Sequence, residues 1–519
     1  MKRIIGVRGI ASAALVVSTV GMFTSSVLNS SGAAAAVSAK ASNSTLVIGT
    51  VNSVQKIDPD VVTNFLDFEA LGLIYNTLVQ ENANLQLVPD LATSWAFSNG
   101  NTKLTLQLRH GVTFDDGSTM TSADVVASLQ RAQATKTADP SASFIGSVTK
   151  IAASGPNAVV LTMSHPDVSV LEGLATVNMA IMPAAAISAG TIAAKPDGTG
   201  PFAYSASVPS TSFTLKANPS YWGGKVALSK VELKTIPTEQ SISAALQAGT
   251  IQMALLSQPT VVSTIPQSFT VQHVMDLSYR ALQLQDKTGI LANVNARRAI
   301  ACATNRNQIL QDSVFGDGKV VGPVPLGPYA TSPVSAICPT QNLAQAKKYL
   351  KASGHASGFT FTAITSTDLD STSAAQAIAM QSELARVGIK MNIQNLASNA
   401  YIQDWLKGKF QAAFAENGAD PDPYVMYGRY FGAGAGLGVP AGYSSKSLQQ
   451  ELLAGDENST TAGQTAAWKT LSNNLTGNAV WIWLFDSYDF AVMSSHVHGF
   501  TLSPVNTTQL SSLATTSLK

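Results

Sequence analysis

The chain has 519 residues, 45% of them hydrophobic and only 12% charged, with a formal net charge of +1. That length allows two or three domains with substantial cores, and the apolar share excludes a disordered polar chain. No basic stripe is present to neutralise phosphates, so nucleic acid is not an expected partner.

In chain order the first feature is a basic head, Lys2, Arg3 and Arg8, followed by an apolar or small stretch from Ile10 to Val27. Gly32-Ala33-Ala34-Ala35-Ala36 and Ala39-Lys40-Ala41 come next. This is the layout of a secretory signal over residues 1–41, with cleavage expected between Ala34 and Ala41. A permanent anchor is the competing reading, and Ser18, Thr19, Thr24, Ser25 and Ser26 dilute its apolar core. Removing the three cations of the head from the 32 basic residues leaves 29 against 31 acidic ones. No later segment has the run of roughly eighteen apolar residues that a membrane span needs.

The mature chain opens with a strand, Thr45 to Thr50, and then Val54-Gln55-Lys56-Ile57-Asp58-Pro59. Two further strands with alternating Leu104, Leu106 and Leu108 flank a turn at Asn99-Gly100, as a hairpin requires. Thr121 is placed to cap a helix, with Asp124 at its third position and Val125, Val126 and Leu129 on its buried stripe. Gly198-Thr199-Gly200-Pro201-Phe202 reads as a turn whose glycines take angles other residues resist, with Pro201 opening an edge strand. A strand with Val231 and Leu233 on one face precedes a helix from Thr238 that stops at Gly249. His273 to Leu284 reads as one strand and Asn293 to Asn307 as one helix, with another helix over Ala344 to Gly354. Ala377, Met380, Leu384 and Val387 make a helical stripe, closed by Gly388 before a strand through Ile389, Met391 and Ile393.

Three ordered blocks then stand out: Pro89-Asp90-Leu91-Ala92-x-Ser94-Trp95, Leu108-Arg109-x-Gly111-Val112-x-Phe114-x-Asp116-Gly117 and Ala123-Asp124-Val125-Val126-x-Ser128-Leu129. Together they closely resemble the signature of the family 5 extracytoplasmic solute-binding proteins, the dipeptide and oligopeptide receptors of ABC importers. The turn at Gly198, the segment Asn218 to Trp222 and the closing His498-Gly499-Phe500 also fit the resemblance, which covers nearly all of residues 44 to 505. Asn76 and Asn305 depart from it, standing where glutamate and aspartate are more usual. It implies an α/β, periplasmic-binding-protein-like fold (type II, cluster C) of two lobes joined by a hinge. The first lobe would run over 42–270, with an extra subdomain at about 60–165. The second would cover 271–484, and residues 485–519 would return to the first.

The same resemblance implies a monomeric receptor that captures a short peptide and hands it to a membrane permease driven by an ATPase. The alternatives are the same fold carrying an oligosaccharide, a nickel chelate or another small solute, and, more distantly, a secreted hydrolase. No cysteine precedes Cys302, so the lipid-modified cysteine of many relatives is not expected.

Asp420-Pro421-Asp422-Pro423-Tyr424 follows a strand over Ala412 to Glu416, at a position where α/β sheets usually bind ligands. Relatives use an aspartate there for the ligand's ammonium group, so Asp420 is the expected anchor, with Asp422 second. Ser53 and Val54 are candidates for main-chain contacts to an extended peptide, Tyr424 and Trp405 for side-chain pockets and Arg429 for a ligand carboxylate. Cys302 and Cys338 are expected to pair outside the cytoplasm, two separate buried thiols being the alternative. His496-Val497-His498 lacks a third ligand and reads as surface structure, so neither metal nor cofactor is expected. No nucleophile elbow, zinc-binding helix motif or phosphate loop is present, and no catalytic residue is assigned.

Overall fold

The computed structural model describes residues 44–519, apart from residues 135, 138, 325, 326, 328, 331–335, 419, 459 and 506. The expected signal segment, 1–41, lies outside the described residues.

Thr45–Thr50 lies in the middle of the first lobe's sheet, buried through Leu46 and Ile48 and parallel to Lys230–Thr235 and Met253–Leu256. Ser212–Ala217 and Phe202–Val208 continue the sheet antiparallel to its edge. Phe202 follows Pro201, whose missing N–H costs nothing at an edge. The second lobe is a sheet ordered from Ser278–Leu284 through Ala412–Gly418 and Thr360–Thr365 to Lys390–Asn395. Its core packs Ile300, Ile309, Met380, Leu384 and Phe414 from helices and strands.

One strand joins the two sheets. Trp481–Met493 is 13 residues long. Its first half pairs with Ser278–Leu284 and Gly318–Val320 in the second lobe. Its second half pairs with Met253–Leu256 and Thr270–Met275 in the first. The outward crossing is at Asp276-Leu277 and the return at Ser487-Tyr488, a few residues beyond 270 and 485, because Thr270–Met275 still pairs with Tyr488–Met493. That pairing also breaks the stretch from His273 to Leu284 into two strands, where one was expected.

The subdomain is a four-stranded antiparallel sheet within residues 92–163, carrying Ser122–Gln133 on its apolar face. Thr121 and Asp124 form the reciprocal cap the spacing predicts, and Val125 and Leu129 are buried while Val126 is only partly so. Asn99, Gly100 and Asn101 all take positive φ in the hairpin turn.

Two other expectations change. Asn293 to Asn307 holds one whole helix and the start of another, Val294–Ala303 and Arg306–Val314. Thr304 turns extended and the Asn305 side chain accepts from the Gln308 N–H, capping the second helix. Gly198 and Gly200 do not occupy the left-handed region; a Cβ there would stand 2.1 and 2.6 Å from the Ile74 carbonyl oxygen. Close approach, not backbone angle, requires glycine at both.

Cys302 and Cys338 form a disulfide between buried positions of the second lobe. Among the described residues no helix is long and apolar enough to cross a membrane.

Candidate functional site: an acid-lined cavity between the lobes

A cavity of about 620 Å³ lies between the lobes. The first lobe lines it with Asn52, Ser53 and Gln55 beyond the opening strand, and with Asn76, Gln80 and Glu81. Phe144 and Asn178 come from the subdomain side. The second lobe contributes Asp370, Trp405, Glu416, Asn417, Asp420 and Arg429. Such a concave, mixed apolar and polar chamber is the usual form of a small-molecule site.

Each wall is held by its own hydrogen bonds. Trp405 Nε1 donates to Gln283 Oε1 at 2.5 Å, and Gln283 Nε2 donates to Asn417 Oδ1 at 3.1 Å. Tyr430 donates to the same Asn417 oxygen at 2.9 Å. With its N–H occupied, Trp405 offers the cavity its ring. On the opposite wall, Asn76 Oδ1 accepts from Thr199 Oγ1 at 3.0 Å and Trp222 Nε1 at 3.1 Å, while its amide donates to Asp90 at 3.2 Å. A glutamate would lack that amide donor, which gives the departure at Asn76 a local use.

The dominant chemistry is acidic. Carboxylate oxygens of Glu81, Glu172 and Asp420 lie within 4.8 Å of one another. Glu81 and Asp420 line the cavity from the first and second lobes; Glu172, on the first-lobe side, is not a lining residue. Burial raises the pKa of all three, and their mutual repulsion raises those of Glu172 and Asp420 further. The Asp422 N–H donates to Asp420 Oδ1 at 2.9 Å, which fixes the carboxylate without neutralising it. Three acids this close retain full charge only beside a cation; otherwise they hold protons.

The sequence candidates separate cleanly. Asp420, Ser53, Trp405 and Arg429 line the cavity. Arg429 Nη2 donates to the Gly418 carbonyl at 2.7 Å and its guanidinium stands 5.1 Å from the Tyr430 ring centroid. Val54 is not a lining residue, and its side chain packs on the first-lobe core. Asp422 is not a cavity residue. Its two oxygens accept from the Tyr424 N–H at 2.7 Å and the Ser169 hydroxyl at 2.8 Å, capping the helix Pro423–Phe431. Tyr424 points to a separate cavity of about 500 Å³ beside His165 and Leu453.

Sequence reasoning missed Glu81, Glu172, Asp370 and Glu416. Glu172 carried a signal, an acid inside the apolar run Val170-Leu171-Glu172-Gly173-Leu174 in a chain with few charges. Glu81, in a short polar strand, carried none.

Two sheets joined by a crossing strand, with a chamber between them walled from both sides, define a hinged two-lobe solute-binding protein. The model of the bacterial extracellular solute-binding proteins, family 5, matches residues 86–437, and the chain belongs to that family. Among curated relatives, the chain is 26% identical over 485 residues to a protein of Escherichia coli K12 described as "Probable D,D-dipeptide-binding periplasmic protein DdpA", covering 89% of this chain and 92% of that one. Its fold matches the periplasmic binding protein AgaA of A. tumefaciens R10, solved with agropinic acid, at a TM-score of 0.83 and 23% identity over 92% of this chain and 99% of that one. It also matches DppA of Helicobacter pylori, solved with the peptide STSA, at 0.80 and 24% over 91% and 98%.

Proposed function

We propose that this protein is the extracytoplasmic receptor of an ABC importer, closing its lobes over a short peptide whose ammonium group meets Asp420. The observation that carries this reading is the carboxylate trio, contributed from both sides of the cleft. A cationic end bridging Asp420 to Glu81, with the Glu172 charge beside them, gains its full set of charge-assisted bonds only when the lobes are together, which is how a ligand selects the closed state. The family relatives described as dipeptide-binding and the neighbour holding a peptide support the same cargo. No covalent chemistry is assigned: the receptor delivers its cargo to a permease and ATPase, after export by the N-terminal signal.

Native mass spectrometry of freshly purified protein, followed by identification of what denaturation releases, tests the cargo directly. Calorimetry with a released peptide and its N-acetylated form tests the anchor. Acetylation and Asp420→Asn should each weaken binding by about tenfold to a hundredfold, the worth of one hydrogen bond to a charged group. Release of a sugar or an opine, or binding indifferent to acetylation, overturns the ammonium reading. Loss of binding on chelator treatment would instead point to a divalent cation on the three carboxylates.

A further inference from the structure

Outside the ligand cavity the lobes meet at a second acidic contact, which the cargo does not need. The loop after strand Ala158–Met163 lies against the far end of helix Lys446–Asp456 in the second lobe. The Ser169 N–H donates to Asp456 Oδ1 at 3.3 Å, the Val168 N–H to the Asp456 carbonyl at 3.4 Å and the Ser169 hydroxyl to Asp422 Oδ2 at 2.8 Å. Val425 of the second lobe is seated in the subdomain core. All of these contacts cross between lobes.

The charges there do not balance. Asp456 is 0% exposed and Asp167 1%. Asp167 is fully engaged, accepting from the Val170 N–H at 2.7 Å and from the Ser147 hydroxyl. Asp456 Oδ2 is buried without a donor among the described residues. The other titratable groups facing the pair are Asp422 and Tyr424 from the start of helix Pro423–Phe431, His165 from the loop and Glu457 from the helix end. His165 Nδ1 is 3.9 Å from Asp456 and 3.8 Å from Glu457, beyond hydrogen-bond range, on a side chain that keeps contact with solvent.

We propose that Asp167 and Asp456 form a proton-operated clasp, sharing one proton on Asp456 Oδ2 when the lobes are together, so that closure takes up a proton and acid favours it. The direction follows from linkage. Burial first and Asp167 second hold the Asp456 carboxyl far above its ordinary value in the closed form, whereas apart from Asp167 and in water it returns to the usual range. A group raised in one state stabilises that state below its ordinary pKa and loses that contribution as pH rises through the raised value. The clasp is therefore complete in acid and costs most in alkali. It rests on the hinged receptor proposed above but not on the identity of the cargo.

The described residues contain no free cysteine, so an introduced pair can be labelled selectively. Ser98→Cys on the subdomain and Lys348→Cys on the second lobe, both at exposed positions, would report lobe separation in ligand-free, full-length mature protein between pH 4.5 and 8. The closed-to-open ratio should rise as pH falls, by up to about tenfold per unit for one linked proton. Asp456→Asn keeps a donor facing Asp167 without the titration; its ratio should change less steeply with pH than the unmutated ratio, the cavity trio keeping its own response, and should lie above the unmutated ratio at pH 8. Asp167→Asn should also lessen the slope, and His165→Gln should leave it intact. A slope unchanged by Asp456→Asn, or two populations whose ratio ignores pH, overturns the clasp while leaving the hinge standing. A single separation at every pH overturns the hinged reading and the clasp with it.

Discussion

Arg280 is the residue whose removal should reveal how the crossing between the lobes is held. It is 2% exposed, on strand Ser278–Leu284 just past the outward crossing. Its guanidinium meets Glu416 at 2.8 Å, Asp370 at 3.6 Å and Asp486 at 3.9 Å, and Asp276 also raises its pKa. Asp489 joins the same field. One cation thus serves carboxylates from the crossing loop, the crossing strand and the second-lobe sheet. Burial holds Glu416 up at about 8 and Asp486 and Asp489 well above the carboxylate range even with Arg280 in place. In Arg280→Met the chain keeps its apolar volume and leaves those acids buried without their cation, a loss of about 3–5 kcal/mol. At about 2 °C per kcal/mol for a protein of this size, the melting temperature should fall by roughly 6–10 °C at pH 8. Acid should shrink the deficit, because protonated carboxyls need no cation: the raised groups cost stability only as pH climbs through their folded values. Scanning fluorimetry reads this directly, since Trp481 and Trp483 lie in the strand that carries Asp486. A deficit below about 2 °C at pH 8, or one equal at pH 5 and pH 8, would refute the reasoning.

The unmutated protein should itself be most stable on the acid side of neutrality. Burial raises Asp90 and Asp115 to about 7 and Glu69, Asp139 and Glu416 to about 8, so their stabilisation is complete near pH 4 and is lost as pH rises through 7 to 8. Melting temperatures that climb from pH 5 to pH 8 would contradict this. Gly198→Ala should be among the most disruptive small substitutions, since its methyl would overlap the Ile74 carbonyl while Gly117→Ala, with open space around it, strains only the backbone. Chemical denaturation of both variants checks the ranking, and a Gly198→Ala midpoint equal to that of the unmutated protein would sink the close-approach explanation.

Much of this protein is decided within short windows of sequence. The hairpin at Asn99, the reciprocal cap of Thr121 and Asp124 and the helix closed by Gly388 need only neighbours within a few residues. The position of Asp420 after a sheet strand was legible for the same reason. What the sequence left open depends on partners far along the chain. Asp422 and Asp420 sit two apart in one loop, yet Asp422 caps the next helix and has its other oxygen bonded to Ser169, 253 residues away, while Asp420 lines the cavity. Asp420 meets Glu81 and Glu172 only because the two lobes, joined through the strand Trp481–Met493, face one another across the cavity. Local spacing sets which elements form, through backbone hydrogen bonds and one-sided burial. Only the tertiary structure decides which buried charges meet, because that depends on distances between elements that no spacing along the chain encodes.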